Sequence, residues 1–92
     1  MAIGIYFPVQ GMSIGKYRSV LERLDAAGQA HPRGRSYHAA FGSDESLEVW
    51  DVWESPEEFE AFGAVLMPIL AELGVDPGEP SISPIRNVIV PA

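Results

Sequence analysis

Leu47-Glu48-Val49-Trp50-Asp51-Val52-Trp53-Glu54-Ser55-Pro56-Glu57-Glu58-Phe59 reads as a strand that passes directly into a helix. Leu47 to Glu54 is rich in β-branched and aromatic residues, which suit a pleated, half-buried surface. Ser55 then stands at an N-cap, Pro56 at the first helical position, and Glu58 completes a capping box. Downstream, Phe59, Phe62, Val65, Leu66, Ile69, Leu70 and Leu73 recur at helical spacing until Gly74 closes the stripe. Pro68 cannot donate to the carbonyl four residues back, so a kink or break is expected between Gly63 and Pro68. Turn residues from Asp76 to Pro80 lead into a last strand, Ile82 to Val90, with Pro84 placing its start at a sheet edge or bulge.

Upstream of the stretch, Gly42-Ser43-Asp44-Glu45-Ser46 is turn chemistry, so Ser36 to Phe41 and Leu47 to Glu54 form a hairpin. Gly28 to Gly34, with Pro32 inside it, is a polar loop. Before it, Ser13 caps a helix whose apolar stripe is Ile14, Tyr17, Val20, Leu21 and Leu24. The first strand is Ala2 to Val9, ended by Gln10-Gly11. The order β-α-β-β-α-β is the split βαβ pattern, an α+β fold in which one antiparallel sheet carries both helices on one face. If Gly42 pairs with Leu47, then Tyr37, Ala39 and Phe41 share a face with Glu48, Trp50 and Val52. Ser36, His38 and Ala40 then share the other with Leu47, Val49, Asp51 and Trp53. Both faces carry bulky apolar groups and two helices cover only one, so a homodimer joined through the sheet faces is expected.

Ninety-two residues make one domain, 1–92, with 47% apolar and 21% charged side chains, which argues against disorder. The longest apolar run, Ala64 to Ala71, is interrupted by Pro68 and falls short of the ~20 residues a membrane span needs. The opening MAIGIYFPVQ has no basic region or cleavage site, so a cytoplasmic location and no membrane partner are expected. Zero cysteines exclude disulfides, thiolate metal sites and thiol nucleophiles. A formal charge of −7 opposes binding to phosphate backbones, so nucleic acid is not an expected partner. Five of the six basic residues lie between Lys16 and Arg35, whereas Asp44 to Glu79 holds eleven acids and no base, the composition of a solvated acidic face.

The proposed register sets His38 across from Asp51, with Trp53 two residues along on the same face. A carboxylate beside an imidazole fixes its tautomer and raises its basicity, as a general base near neutral pH requires. The indole would stack a flat substrate and exclude water. The plainer alternative is a cross-strand hydrogen-bonded pair with a structural role. Arg86 and Asn87 alternate across the last strand, and one of them could orient a substrate carbonyl; the plainer alternative for either is a ladder or dimer contact. Glu57, Glu58 and Glu60 suit the positive end of the second helix dipole. His31, His38 and scattered carboxylates do not make a metal motif, and Gly11-Met12-Ser13-Ile14-Gly15 lacks the pattern of a phosphate loop, so neither a metal nor a cofactor is expected.

In element order, and in the run Val49 to Phe59 above all, the chain resembles the dimeric α+β barrel superfamily, and within it the group typified by antibiotic biosynthesis monooxygenases and small bacterial relatives with a V-x-D-x-W-E-S segment. The resemblance implies a ferredoxin-like protomer, a homodimeric α/β barrel, and a pocket between sheet and helices in each protomer. It also implies cofactor-independent oxidation, ring closure or isomerisation of a small molecule, and the family's tryptophan at the end of the third strand matches Trp53. A histidine that many monooxygenase and haem-degrading members carry on the second helix is absent, since Phe62 and Gly63 stand there.

The combined expectation is a cofactor-independent enzyme, monooxygenase-, cyclase- or isomerase-like, acting on an aromatic or polyketide-like molecule. His38 would accept the proton, Asp51 would orient it, and Trp53, Phe62, Tyr17, Leu66 and Asn87 would hold the substrate. The alternative is a dimer that binds a small hydrophobic ligand, or serves assembly, without catalysis.

Overall fold

The computed structural model describes residues 1–89 and contains β1 (Ile3–Phe7), α1 (Ile14–Ala26), β2 (Arg35–Ser43), β3 (Ser46–Trp53), α2 (Pro56–Glu72) and β4 (Ser81–Pro84). Ser13 caps α1 by accepting from the Lys16 N–H, and Ser55 caps α2 by accepting from the Glu58 N–H at 3.3 Å. The Ser55 hydroxyl in turn donates to the Glu58 carboxylate at 3.1 Å, which locks the strand-to-helix corner.

The four strands form one antiparallel sheet in the order β2-β3-β1-β4, the arrangement expected of the split βαβ pattern. Gly42 pairs with Leu47 and His38 with Asp51, as the turn chemistry required. Side chains of Leu47, Val49, Asp51 and Trp53 are buried on the inner face with Ile3, Ile5 and Phe7 of β1. Val20 and Leu24 of α1 and Phe59, Phe62 and Leu70 of α2 close over them, and Met12 and Val75 seal the rim. Trp53 is fully buried, with its ring 5.2 Å from Phe62 and 5.7 Å from Phe59, centroid to centroid. On the outer face Tyr37, Phe41 and Trp50 stay 56%, 46% and 42% exposed. Beside them the Tyr6 hydroxyl donates to Glu48, a bond that holds the Tyr6 phenol above its ordinary value.

Three expectations need correction. Helix α2 runs unbroken through Pro68, because Val65, Leu66, Ile69 and Leu70 on either side of it all pack on the same core. Strand β4 covers only Ser81–Pro84 of the expected Ile82 to Val90, and Val90 lies outside the described residues. Among the described residues it pairs with β1 alone, whose first residue, Ile3, is reached at Pro84; one further bond joins the Ile85 N–H to the Ala2 carbonyl. Ser36 does not take its expected place on the inner face, because an irregularity between Arg35 and Tyr37 sets Arg35 opposite Trp53 instead. Gly34, just before it, has φ +90, and a Cβ there would lie 2.4 Å from the Glu58 Cδ, so α2 and the entry to β2 approach this closely only around glycine. Among the described residues no helix is long and apolar enough to cross a membrane.

Candidate active site

Asp51 is the one buried charged residue among those described, 4% exposed at the middle of β3. A buried carboxylate is costly unless each oxygen has a donor. Oδ1 lies 2.5 Å from His38 Nδ1, and Oδ2 accepts from the Trp53 indole N–H at 3.3 Å. Both contacts follow from strand geometry: His38 is the cross-strand partner, and Trp53, two residues on, shares the face.

A carboxylate only accepts, so the network assigns the proton of His38 to Nδ1 and leaves Nε2 as an acceptor. Nε2 lies 2.7 Å from the Tyr17 hydroxyl, which reaches down from α1, with the two rings within 7° of parallel. Burial pushes the Tyr17 phenol above its ordinary value of 10.0; the nearby Arg35 guanidinium opposes this and the Asp51 carboxylate adds to it. Tyr17 therefore keeps its proton at neutral pH and donates it to His38. The result is a continuous chain of hydrogen bonds, Tyr17 to His38 to Asp51, anchored at its inner end by Trp53.

The chain opens onto a cleft of ≈ 520 Å³, open mouth included, between the sheet and the helices. The cleft is a narrow slot, with side chains of β1, β2 and β3 on one side and of α1 and α2 on the other. Phe7, Val20, Leu24, Val49, Phe62 and Leu66 supply apolar walls, and the polar side chains lining it are Tyr17, Arg35, His38 and Asp51. This is the usual build of a small-molecule site, an apolar pocket with a few convergent polar groups.

Of the residues expected from sequence, His38, Asp51, Tyr17, Phe62 and Leu66 come together here. Trp53 does not line the cleft, because the first turns of α2 cover it; its part is to hold the second oxygen of Asp51. Asn87 lies beyond β4, exposed and away from the cleft, since the strand expected to carry it inward ends at Pro84. Sequence reasoning missed Arg35 and missed the bond between Tyr17 and His38. Gly34 at the entry to β2 was the available sign of a bulge that would turn Arg35 inward. Among the described residues no group of three or more His, Cys, Asp or Glu is placed to hold a metal ion.

No protein-family model matches the sequence, and no curated protein does. Solved structures do match. SnoaB, a cofactor-independent oxygenase from Streptomyces nogalater, is 22% identical at a TM-score of 0.62, over 96% of this chain and 94% of that one. A monooxygenase from the gene ActVA-Orf6 of Streptomyces coelicolor, in complex with the ligand Nanaomycin D, is 20% identical at a TM-score of 0.55, over 99% and 91%. A conserved protein from Methanosarcina mazei Go1 is 12% identical at a TM-score of 0.64, over 94% of each chain. At these identities the likeness is one of architecture: the chain has a ferredoxin-like α+β fold, which these structures share.

Proposed function

We propose that the chain is an enzyme that removes a proton from a small, flat aromatic or polyketide-like molecule held in the cleft, without a cofactor. The observation that carries this reading is the Tyr17 to His38 to Asp51 chain opening onto an otherwise apolar slot. Because His38 Nε2 is capped by Tyr17, the Tyr17 oxygen is the atom that meets the substrate. It takes a proton from an acidic C–H or O–H while its own passes to His38, and the resulting imidazolium sits against Asp51. The apolar walls exclude water and favour a flat ring system. In the oxygenase version the substrate carbanion or enolate reacts with dioxygen, and a methylene becomes a carbonyl with release of water: R₂CH₂ + O₂ gives R₂C=O + H₂O. A cyclase or isomerase would need the deprotonation alone. The fold shared with cofactor-independent oxygenases supports the first version.

Anthrone, whose methylene lies between two aryl rings and opposite a carbonyl, is a suitable probe. Deuterium exchange at that carbon in heavy water, with oxygen uptake measured in parallel, is expected to be accelerated by the wild-type chain and not by His38→Gln. Absence of enhanced exchange despite binding would overturn the enzyme reading. It would leave the second one, a ligand-binding dimer, which draws support from the narrowness of the slot and the full internal engagement of His38.

The same reading includes a homodimer. Tyr37, Phe41 and Trp50 form an exposed apolar strip on a sheet face that neither α1 nor α2 covers, and a second copy of this chain is its proposed occupant.

A further inference from the structure

Arg35 has no part in the proton chain, yet it lines the same cleft. Its position follows from the irregularity between Arg35 and Tyr37, which gives it the inward place that regular alternation would give Ser36. The guanidinium carbon lies 5.6 Å from the centroid of the Phe62 ring, so the head group rests on a wall of the slot. Among the described residues its one hydrogen bond is a long one, 3.4 Å from an Nη to the Ala30 carbonyl, and it takes part in no ion pair. A guanidinium has five N–H donors in a fixed fork. Most of that capacity is unspent beside an apolar slot.

Proton transfer gives those donors a partner. In the resting cleft the His38 imidazole stands between Tyr17 and Asp51, and among the described residues Arg35 takes part in no ion pair. Once a substrate proton has entered the chain, the imidazolium of His38 faces Asp51, and an anionic oxygen is left on the substrate. An unpaired anion among apolar walls is costly, and a cation already fixed there lowers that cost at the step where the charge develops.

We propose that Arg35 is the oxyanion-recognising residue of the cleft, which takes flat aromatic ligands that carry an anionic oxygen or acquire one on deprotonation. This rests on the reading of the cleft as the substrate site. The probes are 2-naphthoate, its neutral isostere 2-naphthamide, and 2-naphthol, each tested on the full chain and on Arg35→Gln and Arg35→Lys, with circular dichroism confirming the fold of both variants. By calorimetry near neutral pH, wild type is expected to bind the naphthoate about tenfold or more tightly than the amide. Arg35→Gln should erase that preference by weakening the naphthoate far more than the amide, and Arg35→Lys should keep part of it. In the second arm, the naphtholate absorption band of bound 2-naphthol is expected to appear at lower pH than in free solution, and Arg35→Gln should abolish the difference. An effect confined to the first arm assigns Arg35 to a carboxylate that the ligand brings; an effect in the second assigns it to the oxyanion made in place. If the amide binds and Arg35→Gln behaves as wild type in both arms, the Arg35 proposal falls while the substrate cleft stands. If none of the three probes binds, both fall.

Discussion

Asp51 holds two donors at once, and its amide cannot do the same. In Asp51→Asn one oxygen can still accept from His38 or from the Trp53 indole, but the amide nitrogen then meets the other N–H, and a buried donor loses its acceptor. The expected cost is about 1–3 kcal/mol of stability, measured by urea unfolding, together with a loss of turnover of about a hundredfold or more. Tyr17→Phe separates the two effects, because it removes only the outer hydroxyl; it should keep most of the stability and lose the exchange activity. Tyr17 also predicts a pH dependence. The folded chain keeps the Tyr17 proton to higher pH than the unfolded chain, chiefly through burial. That contribution is whole below the unfolded value of 10.0 and is lost as pH rises from there through the folded value. The unfolding midpoint should therefore fall on the alkaline side more steeply for wild type than for Tyr17→Phe, with Tyr6 leaving a residual slope in both. Equal slopes would remove Tyr17 from the account.

Elements closed by a specific local signal were legible in the sequence. Ser13 and Ser55 start both helices, and Gly42 to Ser46 set a hairpin register that brings His38 to Asp51, so the inner half of the site followed from turn chemistry and the two-residue period of strands. What escaped depended on neighbours distant in sequence. Pro68 weakens α2 locally, but apolar contacts on both sides of it outweigh one missing hydrogen bond. Trp53 was legible as inward-facing, yet whether it meets ligand or core depends on where α2 lies over it. Strand β4 stops opposite the first residue of β1, which its own composition does not reveal. Arg35 turns inward through a one-residue irregularity that begins beside Gly34. Gly34→Ala tests this entry: a side chain at φ +90, pressed against Glu58, is expected to cost about 1–3 kcal/mol, read as a lower urea midpoint. A neutral substitution would mean that the close approach to α2 is not needed.

For the whole molecule, the alternation of β3 divides the chain's chemistry between two sides of one sheet. Trp50 and Val52 project outward, and Asp51 between them projects into the cleft. The wild-type chain is expected to scatter light at twice the monomer mass at micromolar concentration, and Trp50→Glu to shift it to the monomer without unfolding it. A wild-type monomer at that concentration would overturn the proposed dimer. If the second copy does seat on the outer face, it clamps the same few peptide units that carry Asp51. The strand is then a party wall: a neighbour leaning on one side limits how far the carboxylate on the other can drift from His38. Assembly and chemistry would be thermodynamically linked, although no residue of the partner need enter the slot. Activity per chain would then decline on dilution through the dimer's dissociation range, and Trp50→Glu, which touches nothing in the cleft, would behave at every concentration like the wild type at its most dilute.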